Sequence, residues 1–381
     1  IQVVAQARAL GLRLLPRDIF EARTVARLAA RAVPLGQPAL PVEAVAAPPL
    51  TPIQRWFFGL DLPVAHHFNQ AFLLLPRRLV TAERLGAALA RLVQRHEALG
   101  LRFHRQDGGS WRQTGEGGGT PCIESWRMPA GDGAALQRQL TAWQAGFDLA
   151  DGPLLAAGIV EGHPDGRQRV LLALHHLVVD IVSWRVLLDE LATLLAAPAA
   201  ELPPAGAGFR TWAQALTRFA TAPEALAGLD HWCRALRPAG ALPSGPDTAG
   251  LTLRLDRDST DGLLHQAGRA YGTRVHELLL AALAPAVAQA CGGQSAALML
   301  EGHGREDVLG LDVAGAVGWF TTRFPLRLDL PDADPASLVP AVKRQLRAVP
   351  HNGLSYGVLR DLSPDPAVRA ALAGPEPAIT F

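Results

Sequence analysis

The stretch His175-His176-Leu177-Val178-Val179-Asp180-Ile181-Val182-Ser183-Trp184 decides how this chain is read. It follows an apolar run, 170–174, with the length of a buried strand. Side chains alternate across a strand, so the two histidines face opposite sides and cannot share one role. A histidine at the end of a buried strand, with a carboxylate four residues on in the next loop, can be held in one tautomer and set at a cleft to move a proton. The same spacing suits two packed histidines and an aspartate that caps the next helix, and the residues alone leave both readings open. From Ser183 the apolar residues Trp184, Leu187, Leu188, Leu191 and Leu195 recur at helical spacing, which predicts a helix over 183–195 with those side chains inward.

Outward from this stretch, strands and helices mix. Residues 71–75 read as a short apolar strand, and 81–95 as an amphipathic helix with Leu85, Leu89, Leu92 and Val93 on one face. Pro/Gly-rich breaks at 198–208 and 237–250 put a lobe boundary near 225/226. Beyond them come a strand at 251–255, a helix at 275–290, strands at 296–300 and 323–328, and a helix at 336–349. The pattern predicts an α/β protein with α+β layers and no repeat of solenoid length. Ahead of it, 1–33 reads as three short helical pieces: 1–10, a turn at 16–18 leading into 19–21, and 24–31 with Thr24 as N-cap. Residues 34–49, rich in Pro and Ala, read as a semi-rigid linker.

Composition narrows the chemistry. Of 381 residues, 49% are hydrophobic and 19% charged, and the formal net charge is +1, which gives no basic field for nucleic acid. The one lysine, Lys343, lies on a helical pattern with Arg neighbours, a poor setting for a Schiff base and hence for a pyridoxal-phosphate racemase. Cys122, Cys233 and Cys291 are odd in number and far apart, so they suggest no disulfide framework and no zinc site; a two-cysteine racemase is a remote alternative, and a reduced cytoplasmic setting is expected. No apolar run reaches the roughly 18 residues of a membrane span, because 278–290 is broken by Pro285 and Gln289. The start has no signal-peptide pattern and reads as the interior of a larger protein. Residues 115–119 are a glycine-rich loop without the strand, helix and lysine of a phosphate cradle.

Five further stretches agree with the first: Leu50-Thr51-Pro52-Ile53-Gln54-Arg55-Trp56-Phe57 with His66-His67-Phe68-Asn69-Gln70; Glu301-Gly302-His303-Gly304-Arg305-Glu306; Val317-Gly318-Trp319-Phe320-Thr321; Asn352-Gly353-Leu354-Ser355-Tyr356-Gly357-Val358-Leu359-Arg360; and the closing Ile379-Thr380-Phe381. Taken in order, they make everything from Leu50 onward resemble the epimerization domains of nonribosomal peptide synthetases, within the condensation-domain superfamily; Ser183-Trp184 after the histidine motif is the mark of that branch. The N-terminal pieces resemble the second half of a peptidyl carrier domain, whose phosphopantetheine-bearing serine would stand just before Ile1.

The resemblance implies two chloramphenicol-acetyltransferase-like lobes, 50–225 and 226–381, the second incomplete, forming a V with a central tunnel. It implies cofactor-independent inversion of the Cα of an aminoacyl or peptidyl thioester held on a carrier's phosphopantetheine, with no metal and no cofactor in the domain itself. By match, His176 and Glu301 are the opposed acid/base pair; His175, Asp180, Ser183 and Arg305 support them; His303, Tyr356 and Asn352 are candidates to line the tunnel. His66 and His67 take no catalytic part, and Trp56, Phe57, Trp319 and Phe320 are expected to pack. Expected partners are the upstream carrier and adenylation domains and a downstream condensation domain, with neither nucleic acid nor membrane. The chain departs from the family where Ile181 replaces a glycine, Gly315-Ala316 an Arg-Thr pair and Ser355 a glycine. If the first glycine serves a positive φ or leaves room beside the thiol, Ile181 would strain or narrow the site. Two alternatives follow: a condensation domain that forms amide bonds, and a domain that only docks the carrier.

Overall fold

The computed structural model describes residues 3, 7, 10–14, 18, 19, 22, 24–34, 48–115, 123–129, 131–241, 250–332 and 334–381. The expected helix over 1–10, the turn at 16–18, the linker, most of the 115–119 loop and Cys122 lie largely or wholly outside them. The chain divides into two compact units, Ile1–Arg218 with Asp307–Thr321 and Phe219–Glu306 with Thr322–Phe381.

In the first unit, β1 (Leu12–Arg13) pairs antiparallel with β2 (Val33–Pro34). Between them α1 (Val25–Ala29) is capped by Thr24, whose hydroxyl accepts from the Arg27 N–H. The main body runs α2 (Pro52–Gly59), β3 (Asn69–Leu74), α3 (Ala82–Arg95), β4 (Arg102–Arg105), β5 (Trp111–Thr114), β6 (Ile123–Arg127), α4 (Gly133–Gln144), β7 (Leu155–Glu161), β8 (Arg169–His175), α5 (Ile181–Ala196) and α6 (Phe209–Phe219). The sheet order is β3-β8-β7-β6. Only β6 and β7 are parallel, and α4 makes the crossover that a parallel pair needs. Gly158 of β7 permits α4 to approach, since a Cβ there would fall 2.4 Å from the Trp143 ring.

The core explains the apolar run before the histidines. Val170, Leu171, Leu172, Ala173 and Leu174 are all buried, so both faces of β8 are covered. Helix α3 buries Leu85, Leu89, Leu92 and Val93, the stripe that its period predicts, and packs on α5. Helix α5 differs from expectation in two details. It begins at Ile181 because Asp180 caps it through the Ser183 N–H, and it buries Leu194, with Leu188 and Leu195 only half-buried. Its one buried carboxylate, Glu190, is paired with His96 at 2.6 Å and Arg95 at 3.0 Å.

The sequence places 307–321 with the second lobe, whereas the structure groups it with the first unit. Hydrogen bonds hold it there. Ala207 N–H donates to the Asp312 carbonyl at 2.8 Å, and Phe320 N–H to Asp180 at 3.0 Å. Gly318 must be glycine, since a Cβ would meet the Phe209 ring at 2.4 Å.

The second unit is built on α7 (Leu229–Ala235), α8 (Val275–Ala290), β9 (Ser295–Gly302), β10 (Thr322–Asp329) and α9 (Pro335–Arg347). Strands β9 and β10 are antiparallel, with Glu301 opposite Arg323, and α8 packs on β9 and α9. On the other edge of β9, Met299 N–H donates to the Ile379 carbonyl and Phe381 N–H to the Met299 carbonyl. The strand expected at 251–255 does not form. Leu251, Leu253 and Leu255 are 85%, 82% and 61% exposed, and a strand without a pairing neighbour has neither ladder nor core to stabilise it.

Candidate active site

Three of the quoted stretches meet in the first unit around His176. Strand β8 ends at His175, and a short 3-10 turn, His176–Val178, carries the chain to the α5 cap. His175 is fully buried. Its Nε2 donates to the Ala65 carbonyl at 2.9 Å and its Nδ1 accepts from the Leu177 N–H at 3.2 Å. Burial pushes its imidazole down to about 4, so it is neutral near pH 7.

His176 lies between aromatic rings: Phe68 stacks at 5.5 Å between centroids and Trp319 leans in at 4.3 Å. Nδ1 is 2.8 Å from the Val179 carbonyl, which can only accept, so Nδ1 carries the proton. Nε2 is 2.9 Å from the Gln70 carboxamide nitrogen. The indole Nε1–H of Trp184 donates to Gln70 Oε1 at 2.7 Å, and because an indole N–H cannot accept, the amide orientation is forced. Gln70 therefore presents N–H to His176, whose Nε2 holds a lone pair.

Asp180 and Ser183 build the scaffold of this turn. The Asp180 carboxylate accepts from the Ser183 N–H at 2.7 Å and the Phe320 N–H at 3.0 Å. Ser183 Oγ donates to the Gly318 carbonyl at 2.9 Å and accepts from the Gly318 N–H at 3.1 Å. The acceptor at Nδ1 of His176 is thus the Val179 carbonyl, where the sequence offers Asp180. Ile181 occupies the first helical position, is 68% exposed and is not among the residues with positive φ. The backbone there does not require glycine.

Two other stretches meet in the second unit. Glu301 is an exposed residue near the end of β9, opposite Arg323. Burial pushes the Arg323 guanidinium down from its ordinary value, and the Glu301 charge partly counters this. Arg323 also donates to Glu376 at 3.3 Å. Glu376 in turn accepts from the Tyr356 hydroxyl at 3.2 Å and from Arg360, which also donates to Tyr356 at 2.8 Å. Burial raises the Tyr356 phenol, with Arg360 pulling it back down. In the turn after β9, His303 Nδ1 accepts from the Arg305 N–H at 3.1 Å, and Arg305 is buried. Asn352, at φ 50°, donates to Glu306 at 2.8 Å; asparagine tolerates that left-handed backbone better than most residues. Ser355 earns its place over glycine by accepting from the Trp232 indole at 3.1 Å.

Sequence reasoning passed over Gln70, Arg323, Arg360 and Glu376. Gln70 stood inside a quoted stretch, but only the distant Trp184 gives it a role. The remaining candidates for chemistry lead elsewhere. Lys343 donates to the Tyr271 carbonyl at 2.8 Å, and His66 accepts from the Leu149 N–H at 3.1 Å. Among the described residues, no group of His, Cys, Asp and Glu is arranged to hold a metal ion, and no helix is long and apolar enough to cross a membrane.

Known proteins share this fold. Residues 46–375 match the condensation-domain family. Chondramide synthase of Chondromyces crocatus is 38% identical over 404 aligned positions covering 100% of this chain, and a linear gramicidin synthase polypeptide of Brevibacillus parabrevis is 33% identical over 407, also covering 100%. The chain spans only 10% and 8% of those two proteins. The crystal structure of the epimerization domain from the third module of tyrocidine synthetase B superposes with a TM-score of 0.80 at 29% identity, covering 90% of this chain and 82% of that one. With its α/β fold and its matches to peptide synthetases, the chain belongs to the condensation-domain family, among the domains of nonribosomal peptide synthetases.

Proposed function

We propose that this domain inverts the Cα of an aminoacyl or peptidyl group held as a thioester on the phosphopantetheine of a carrier domain. The observation that carries the reading is the likeness, across nine-tenths of the chain, to an epimerization domain. Ser183-Trp184 supports it, since Trp184 acts on the histidine through Gln70. Removing an α-proton leaves an enolate-like anion, so the reaction needs one group to take a proton and another to return one to the opposite face. His176 and Glu301 are the groups assigned to those transfers. His175, Asp180 and Ser183 hold the His176 turn, and Arg305 supports Glu301. His303, Tyr356 and Asn352 are assigned to the substrate side. The domain uses no cofactor of its own. Its partners are the carrier and adenylation domains upstream and a condensation domain downstream.

The family match favours one second reading, amide formation. Incubating the domain with a carrier loaded with an L-aminoacyl group, then releasing the product for chiral analysis, separates the two. The proposal expects a D product without any second carrier. An amide formed between two loaded carriers, with no D product, replaces it with condensation, and neither product leaves a docking role.

A further inference from the structure

The hydrogen bonds around His176 form a chain with a direction. It starts at an indole that can only donate, passes through an amide that must then turn its N–H outward, and ends on an imidazole nitrogen that must accept. We propose that Gln70, held by Trp184, is the positioning residue of His176: it keeps Nε2 as the proton-accepting atom and aims the ring. This rests on the reading that His176 moves the α-proton.

The Val179 bond fixes the proton on Nδ1 but does not aim the ring. Val179 lies three residues from His176, on the same turn, so its carbonyl moves with the ring. Gln70 instead comes from β3, where its backbone is register-paired with Leu174 of β8, and Trp184 is a buried residue of α5 packed edge-on against Phe72 at 4.7 Å. The ring is thereby tied to a strand and a helix as well as to its own loop. The faces are closed by Phe68 and Trp319, so the two nitrogens are the positions left for hydrogen bonding, and Nδ1 is committed to Val179.

The arrangement fixes the order of events at this residue. Before transfer, Nε2 holds a lone pair covered by the Gln70 N–H, which the substrate displaces. In the transfer the Cα proton passes to Nε2, and the electron pair of the broken C–H bond passes into the thioester enolate. The second proton comes from the acid on the other face of Cα. Once the product has left, the Gln70 N–H returns to face Nε2–H, and because Trp184 prevents the amide from turning to accept, the two donors oppose each other until the ring gives its proton to solvent. Gln70 thus favours the ring that is ready to take a proton over the ring that has taken one.

The test labels histidine nitrogens with 15N in the full 381-residue chain. His176 is assigned by the signals lost in His176→Ala, and spectra are read at one fixed pH above neutrality. The wild type is expected to show Nδ1 protonated and Nε2 unprotonated. In Gln70→Glu a carboxylate replaces the N–H, so both nitrogens become protonated at the same pH. Gln70→Leu and Trp184→Phe should each lower kcat for α-proton exchange about tenfold, with KM for the loaded carrier within about twofold. Gln70 is half-buried, and the Leu variant keeps most of its volume, so its circular dichroism should match wild type. A wild-type Nε2–H tautomer, an unprotonated Nε2 in Gln70→Glu, or an unchanged kcat in a folded Gln70→Leu overturns the proposal. If His176→Ala retains exchange, the assignment of the α-proton transfer to His176 fails, while the nitrogen signals still decide the tautomer.

Discussion

The two constellations solve opposite problems. Around His176 the direct contacts are aromatic rings and two uncharged hydrogen-bonding groups, Gln70 and the Val179 carbonyl, which hold the ring in one orientation. Around Glu301 it is ionic: two carboxylates, two guanidiniums and a phenol share charge, and the carboxylate of interest is exposed beside the network. If His176 is the base, as proposed, it needs geometric restraint to accept a proton at one atom. On the proposed reading, a carboxyl group that gives up a proton needs counter-ions for the charge it then carries more than it needs walls.

That contrast can be broken first at Asp180. If the His176 side depends on restraint, Asp180→Ala should cost about 2–4 kcal/mol, because it orphans two buried backbone N–H groups. Chemical denaturation measures this, and a loss below about 1 kcal/mol would mean that the turn holds itself. A pH series probes the same side. Burial puts folded His175 at about 4 against an ordinary value of 6.5, so the unfolded chain binds that proton first as pH falls. The stability due to neutral His175 is complete above about pH 6.5, is lost between there and pH 4, and amounts to about 3 kcal/mol. Replacing His175 with Gln should flatten that part of the profile.

The ionic side is sharpened by its phenol. The chain has two tyrosines, Tyr271 and Tyr356, so absorbance near the phenolate band resolves them. Arg360 favours the phenolate of Tyr356, hence Arg360→Leu should raise its titration further. The smallest effect is expected at Ile181. Ile181→Gly should cost about 0.5–1 kcal/mol through the first turn of α5 and change α-proton exchange by less than about twofold. Exchange that appears only in the glycine variant would instead mark the natural chain as a docking domain.

Periodicity made the individual elements legible. The stripe Leu85, Leu89, Leu92 and Val93, the buried run before His175 and the helix at Val275–Ala290 are each set by local spacing. Local spacing also misled. Leu251, Leu253 and Leu255 alternate like a strand, yet strands depend on neighbours that alternation does not supply. The motif residues could be read by family likeness, but not their wiring. Gln70 and Trp184 are 114 positions apart and Asp180 and Phe320 are 140, so each bond exists only once the fold brings its ends together. Glu376 was invisible for the same reason: it follows a Gly-Pro turn with no pattern around it, and only Tyr356, Arg360 and Arg323 reveal its place.

The most direct test of a restrained base and an ionic partner dividing the chemistry is deuterium exchange at Cα of a carrier-bound aminoacyl thioester, measured side by side on wild type, His176→Ala and Glu301→Gln. The wild type should incorporate solvent deuterium and yield both configurations, with exchange falling about a thousandfold in His176→Ala and about a hundredfold or more in Glu301→Gln. Exchange within about threefold of wild type in folded His176→Ala would contradict the account.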